Sequence, residues 1–298
     1  MLNIWDNGHE WVPQMHAAAM MRGFPAQRVG HDSLLKPGTM FFIPNQFPAE
    51  RLVRDVRTAL ALRDVTDDLV WIQDRDQLLM YEDKLAQAAE FWYWMPYTKV
   101  SYSLDAAIAA VDTFGGPIVS KSAYGSASHN VRLLHTRGDA IREAELAFGL
   151  GIPTRRGPGP DVFQRDYVLW QNFIPHEFTY RVTIVGTKFH VYKRFNYDDR
   201  PMACPSKVKQ TEPVAMSETI ESLLDFSARF FKAIGTKWCA IDVLAEPTGA
   251  LHRWRVLETS LAWARGNDPS GNACFYGTQR SLNTQFDLLI DELERAPW

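Results

Sequence analysis

Cysteine is scarce in this chain: three among 298 residues, at 204, 239 and 274, too far apart for a disulfide framework or a zinc ligand set. A reducing, cytoplasmic setting is the expectation that follows. An excess of charge of one sign is missing too. Lys and Arg total 32 against 35 Asp and Glu, a net −3, so no overall basic field exists to hold a polyanion, which argues against general nucleic-acid binding. No uninterrupted apolar run reaches membrane-spanning length, and the opening MLNIWDNGHEW turns polar within a few residues, unlike a signal peptide. There is no internal repeat and no low-complexity tract. The histidines, at 9, 16, 31, 129, 135, 176, 190 and 252, are scattered, and no Ser/His/Asp or Cys/His arrangement emerges from them. What remains is ordinary globular composition, 46% apolar and 22% charged, long enough for one large core or two to three lobes.

Along the chain, short apolar runs (LNIW, MFFIP, LVWIQD) alternate with amphipathic stretches (EWVPQMHAAAMMR, AERLVRDVRTALALR), predicting a small α/β domain over 1–75. DRDQLLMYEDKLAQAAEFW reads as one helix, ended by Pro96. A second lobe, 76–166, holds the helix SLDAAIAAVDTF, the strands PIVSKS and VRLL, the helix GDAIREAELAFG and the Pro/Gly/Arg loop IPTRRGPGPD. A third segment, 167–298, carries YVLWQNFIP, a hairpin of FTYRVTIVG and KFHVYKRF, and the helix SETIESLLDFSARFFKAIG with Ser217 as its cap. A second hairpin, KWCAIDVLAE with LHRWRVLETS, and the helix TQFDLLIDELER complete it.

Three charge placements resist a purely structural reading. Lys121 ends an apolar strand and precedes the small-residue loop 122–131, whose residues let backbone N–H groups approach a phosphate, although its single glycine, Gly125, is thin evidence. A Walker loop has the opposite order, glycines before lysine. In the hairpin around Thr187, a three-residue loop sets Arg181 opposite Lys193, like charges that an intervening anion makes favourable; a two-residue loop sets Tyr192 there instead. Asp242 lies inside the apolar run CAIDVL, and a turn centred near Ala250 places it across from Glu258. Two adjacent carboxylates call for a cation. A hard divalent ion is one solution, and an ion pair with Arg253 or Arg255 is the other.

In this order the features resemble the ATP-grasp superfamily. A helix lysine (Lys84, in YEDKLAQ) comes first, then the strand lysine Lys121 and its loop. VLWQNFIPHEFTYRV follows, similar to the EEFIPGREFT pattern of D-alanine–D-alanine ligases. A basic hairpin is next, then DVL…VLETS, similar to the VDLL…VLEVN pattern of that family and of RimK-type glutamate ligases. The resemblance spans about residues 75–262 and implies an α+β, α/β architecture: two α+β lobes gripping ATP, behind a small N-terminal domain. It implies phosphate contacts from Lys84 and Lys121, a flap at 122–131 including Ser126, an adenine hinge at Gln171, Asn172 and Phe173, and ribose binding by Glu177. Arg181 and Lys193 (or Arg194) would face the transferring phosphoryl group. Asp242, Glu258 and Ser260 would hold magnesium, or manganese; Ser260 stands where the family usually has Asn, and LAWARGN replaces the usual PG. Arg265 is the candidate for a substrate carboxylate, with a surface arginine the equal alternative; Arg155 and Arg156 either close over the site or are solvated.

The implied activity is an ATP-dependent carboxylate–amine ligase. It would join a small-molecule acid and amine, or a peptide or modified-nucleoside acceptor, through an acyl phosphate. The same fold supports two rivals, a kinase and a catalytically degenerate ATP-binding module.

Overall fold

The computed structural model describes residues 1–45, 49–125, 130–154, 162–196, 211–248, 251–262, 275–276 and 285–295. Ser126, Arg155, Arg156 and Arg265, named above, lie outside them, as does the whole of 126–129 in the 122–131 loop.

The chain opens with β1 (Leu2–Trp5), α1 (Trp11–Met21), β2 (Ala26–Val29), β3 (Gly38–Phe41), α2 (Ala49–Asp64) and β4 (Leu69–Trp71), a parallel sheet of order β2-β1-β3-β4. Burial on both faces explains why LNIW carries no polar alternation; its one exception, Asn3, is fully buried and bonds Lys36 O (2.8 Å) and Gln27 Nε2 (2.6 Å). Gly38 starts β3 at φ +145°, where an added Cβ would stand 2.1 Å from the Met1 carbonyl oxygen, so only glycine lets β3 pair so close to the chain start.

Next come α3 (Arg75–Met80) and α4 (Lys84–Phe91), where one helix was expected. The break has local causes. Asp83 caps the second helix by accepting from the Leu85 and Ala86 amides, and Glu82 is turned to φ +57°. β5 (Thr98–Ser101), α5 (Leu104–Val111), β6 (Ile118–Lys121), β7 (Val131–Leu134) and α6 (Arg137–Phe148) follow, then the two-stranded β8 (Ile152–Thr154) and β9 (Val162–Gln164), and β10 (Val168–Asn172). Strands β5-β10-β6-β7 form an antiparallel sheet, with α5 and α6 packed through alanines and Phe114 against Trp170 and Ile118.

The largest sheet is β13-β12-β11-β14-β15, from β11 (Phe178–Val185), β12 (Lys188–Phe195), β13 (Thr211–Pro213), β14 (Trp238–Thr248) and β15 (Leu251–Ser260), with β16 (Phe275–Tyr276) also pairing β12. The helix α7 (Glu218–Ala233), capped by Ser217, packs Ile220, Leu223, Phe230 and Phe231 against Tyr180, Val182 and Ile184. The other face of β11, carrying Thr179, Arg181 and Thr183, is left for the site. The β11–β12 turn has two residues, Gly186 and Thr187. Gly186 takes φ +61° as such a turn requires, and Arg181 pairs with Tyr192, not with Lys193. The helix α8 (Gln285–Arg295) returns to the first sheet: Phe286, Leu289 and Ile290 share one core with Leu2, Ile4, Trp11 and Phe41. Among the described residues no helix is long and apolar enough to cross a membrane.

Candidate functional site

A cleft of about 570 Å³, counting its open mouth, lies between the β5-β10-β6-β7 sheet and the largest sheet. Its apolar lining comes from Val119 and Val131 on one sheet, Leu244 and Leu257 on the other, and the Gln171–Ile174 segment. Its ionic lining is Lys121, Arg194, Asp242 and Glu258. The Gln171–Phe173 segment, expected to form a hinge, is tied to its neighbours. Asn172 N–H donates to Tyr97 O (2.9 Å), Phe173 N–H to Pro117 O (3.1 Å), and Gln171 Nε2 to Thr98 Oγ1 (2.9 Å).

Lys121 leaves the last position of β6 and reaches across to donate to Leu257 O on β15 (3.1 Å). Burial pulls its ammonium down to about 8, against the opposing pull of Glu258. Lys84, first residue of α4, donates to Gly125 O (2.5 Å) and stands 3.8 Å from Glu258 Oε2. Its own amide donates to Ala123 O (2.9 Å), and Tyr124 Oη donates to Asp83 (3.1 Å), so the root of the 122–131 loop is tied to the start of that helix.

Asp242 and Glu258 do pair across β14 and β15, with a bulge immediately after Asp242. The cations that answer the buried carboxylate are neither Arg253 nor Arg255. Arg255 pairs with Glu246 (2.7 Å), while Asp242 accepts from Arg181 Nε and Nη2 and from Arg194 Nη2. Burial alone would raise the Asp242 carboxyl; the two guanidiniums overrule it and hold it at about 2. Arg194 is only 3% exposed, yet its Nε and Nη1 have no hydrogen-bond partner among the described residues. Two buried donors of a permanent cation, lining the cleft, fit an anionic ligand.

The expected metal ligands fit unequally. Glu258 keeps a carboxylate that is 34% exposed. Asp242 accepts three hydrogen bonds and, with about four lone-pair sites, retains one for a hard cation. Ser260 is buried, and its hydroxyl donates to Ala262 O and lies 3.4 Å from Glu82 Oε1. No group of three His, Cys, Asp or Glu able to hold a metal occurs among the described residues.

Two further expectations change. Lys193 pairs with Tyr180, on the α7 side of the sheet, and its Nζ stands 4.4 Å from the Phe178 ring centre; Arg194, the alternative, takes the cleft position. Glu177 is exposed and outside the cleft lining, whereas His176 is part of it.

Sequence reasoning missed Glu82. Its carboxyl is buried beside Lys84, Glu258, Arg181 and Ser260, on a left-handed backbone that costs a non-glycine residue roughly 1–2 kcal/mol. Only its place in YEDK hinted at it. Burial pushes the Glu82 carboxyl up to about 7, opposed by Lys84 and reinforced by Glu258. A raised carboxyl leaves stability intact below the unfolded value of 4.5 and erodes it as pH climbs to 7. Glu82→Gln is therefore expected to gain about 3 kcal/mol relative to the wild-type chain between pH 4.5 and pH 8. Urea titrations of both proteins across that range check it, and a difference independent of pH refutes it.

Two α+β lobes closing on such a cleft, behind a parallel N-terminal sheet, define the ATP-grasp fold, and the chain has that fold. No protein-family model and no curated protein matches the sequence. Solved structures do match. A RimK domain ATP-grasp protein from Sphaerobacter thermophilus DSM 20745 is similar at TM-score 0.59 and 17% identity, over 99% of this chain and 100% of that one. The N5-carboxyaminoimidazole ribonucleotide synthetase PurK, solved as its ADP complex, is similar at TM-score 0.63 and 11% identity, over 98% of this chain and 76% of that one. The macrocyclase MdnC from Microcystis aeruginosa MRC, solved with precursor peptide MdnA, is similar at TM-score 0.59 and 15% identity, over 99% and 100%.

Proposed function

We propose that the chain is an ATP-dependent carboxylate–amine ligase. The observation that carries this reading is the lining of the cleft, where Lys121 and the unpartnered buried donors of Arg194 suit an anion and apolar residues of both sheets flank the Gln171–Phe173 segment. Adenine lies against Gln171, Asn172 and Phe173, and the phosphates extend toward Lys121, Lys84 and Arg194. Glu258, with Asp242 beside it, would hold magnesium or manganese, whose charge would offset that of the phosphates. The acid's carboxylate oxygen takes the γ-phosphoryl group as ADP leaves; the amine then attacks the carbonyl carbon and phosphate departs. Arg194 and Lys121 stabilise charge on the transferring group, and no protein nucleophile takes part. Solved neighbours include a synthetase complexed with ADP and a macrocyclase complexed with a peptide, which supports a nucleotide site and admits a peptide among the acceptors.

Lys121→Ala tests the nucleotide site directly. Losing one charge-assisted contact is expected to weaken ATP binding by roughly 10- to 100-fold, read by calorimetric titration. Unchanged affinity in a folded variant sinks the reading. The reaction itself is tested by ADP release across amino acids, peptides, polyamines and modified nucleosides, with mass spectrometry for a dehydrated adduct. A phosphate ester in place of an amide would identify a kinase, and tight ATP binding without turnover a non-catalytic module.

A further inference from the structure

The segment between β10 and β11 carries a histidine whose ring is held in one hydrogen-bonding state. His176 Nδ1 is 2.6 Å from Ile174 O. A carbonyl oxygen only accepts, so Nδ1 carries the hydrogen. Burial lowers the pKa of the ring, which keeps it neutral near pH 7. A neutral imidazole protonated at Nδ1 presents Nε2 as a lone-pair acceptor and as nothing else.

The surroundings hold this acceptor in place. The His176 carbonyl accepts from Asn196 Nδ2 (2.9 Å), two residues beyond Arg194, and the ring centre lies 6.2 Å from that of Phe173 at the hinge. His176 thus sits between the hinge and the end of β12 that bears Arg194, and it lines the cleft. A nucleotide with its base at the hinge and its phosphates at Arg194 and Lys121 has its sugar in that interval. Sugar hydroxyls are donors. Glu177, the carboxylate expected to receive them, is exposed and outside the lining.

We propose that His176 Nε2 accepts a hydrogen bond from a sugar hydroxyl of the bound nucleotide and makes this site discriminate ribonucleotides from deoxyribonucleotides. The inference rests on the nucleotide reading above. Calorimetric titration of the full chain with ATP, 2′-deoxy-ATP and 3′-deoxy-ATP tests it, alongside His176→Ala and His176→Gln.

The wild-type chain is expected to bind ATP roughly 3- to 10-fold more tightly than one of the two deoxy analogues. His176→Ala should bind ATP and that analogue equally, and His176→Gln, which restores an acceptor, should recover part of the difference. Discrimination that survives His176→Ala overturns the inference, as does equal wild-type affinity for all three nucleotides, a measurement that needs no variant to fold. Both results leave the nucleotide site standing. Failure of the wild-type chain to bind ATP at all overturns the nucleotide reading, and the role of His176 with it.

Discussion

Asp242→Ala is expected to lower the melting temperature by roughly 10 °C, the result of losing about 3–5 kcal/mol. The carboxylate is 4% exposed, and it is the shared partner of Arg181 and Arg194, themselves 4% and 3% exposed. Deleting it leaves two guanidiniums buried side by side, and these cannot shed their charge as a lysine can. The Arg194 Nη2 contact with Thr179 Oγ1, at 3.4 Å, is too long to compensate. Asp242→Asn keeps the shape and one acceptor, so its loss should be smaller. Replacing all three residues by apolar ones should cost less than Asp242→Ala alone, because it is the stranded charge that destabilises. The pH dependence has a definite sign. With the Asp242 carboxyl held near 2, below its unfolded 3.8, this contribution is complete above pH 3.8 and disappears as pH falls through 2. Thermal melts of the three variants decide the matter, and an Asp242→Ala protein melting within a degree or two of wild type would falsify it.

Glu258→Gln separates the two carboxylates of the pair. Glu258 is 34% exposed, and its nearest cation, Lys84, is 3.8 Å away, so little stability depends on it. On the ligase reading it is the accessible oxygen donor at the phosphate end. Its neutralisation is therefore expected to lower kcat for ADP release by on the order of 10²–10³, with a melting temperature near that of wild type. Lys121 should follow, since Glu258 is the main group holding its ammonium up against burial. A variant that melts normally and retains kcat within a few-fold of wild type removes Glu258 from the chemistry. The contrast between the two variants is the informative part. Asp242 is expected to be felt chiefly in the fold, Glu258 chiefly in turnover.

Much of this arrangement is local, and local features are legible in a sequence. Ser217 caps α7 and Lys121 closes a four-residue buried strand, outcomes that spacing within one element settles. The opposition of Asp242 and Glu258 needs one thing more: the register running out from Thr248 and Leu251 would set Asp242 opposite Leu257, and the bulge after Asp242 brings Glu258 there instead. The break before Lys84 was less visible. YEDKLAQ has adequate helical periodicity, and nothing in periodicity reports that Asp83 prefers to cap or that Glu82 takes a left-handed backbone.

The sequence by itself determined most of the helices and the partners of the two long hairpins, and it singled out Lys121, Asp242 and Glu258 as charges set in apolar strands. Only the tertiary structure decided which side chains meet there. Parity is one reason. A turn of two residues in place of three, at Gly186 and Thr187, moves every β12 side chain to the opposite face, so Arg194 enters the cleft and Lys193 leaves it. Distance along the chain is the other. Asp242 finds Arg181 from 61 residues away, and Lys121 reaches Leu257 across 136. Such contacts are fixed by how three sheets and their helices bury their apolar faces together, a condition that no short stretch of residues can express.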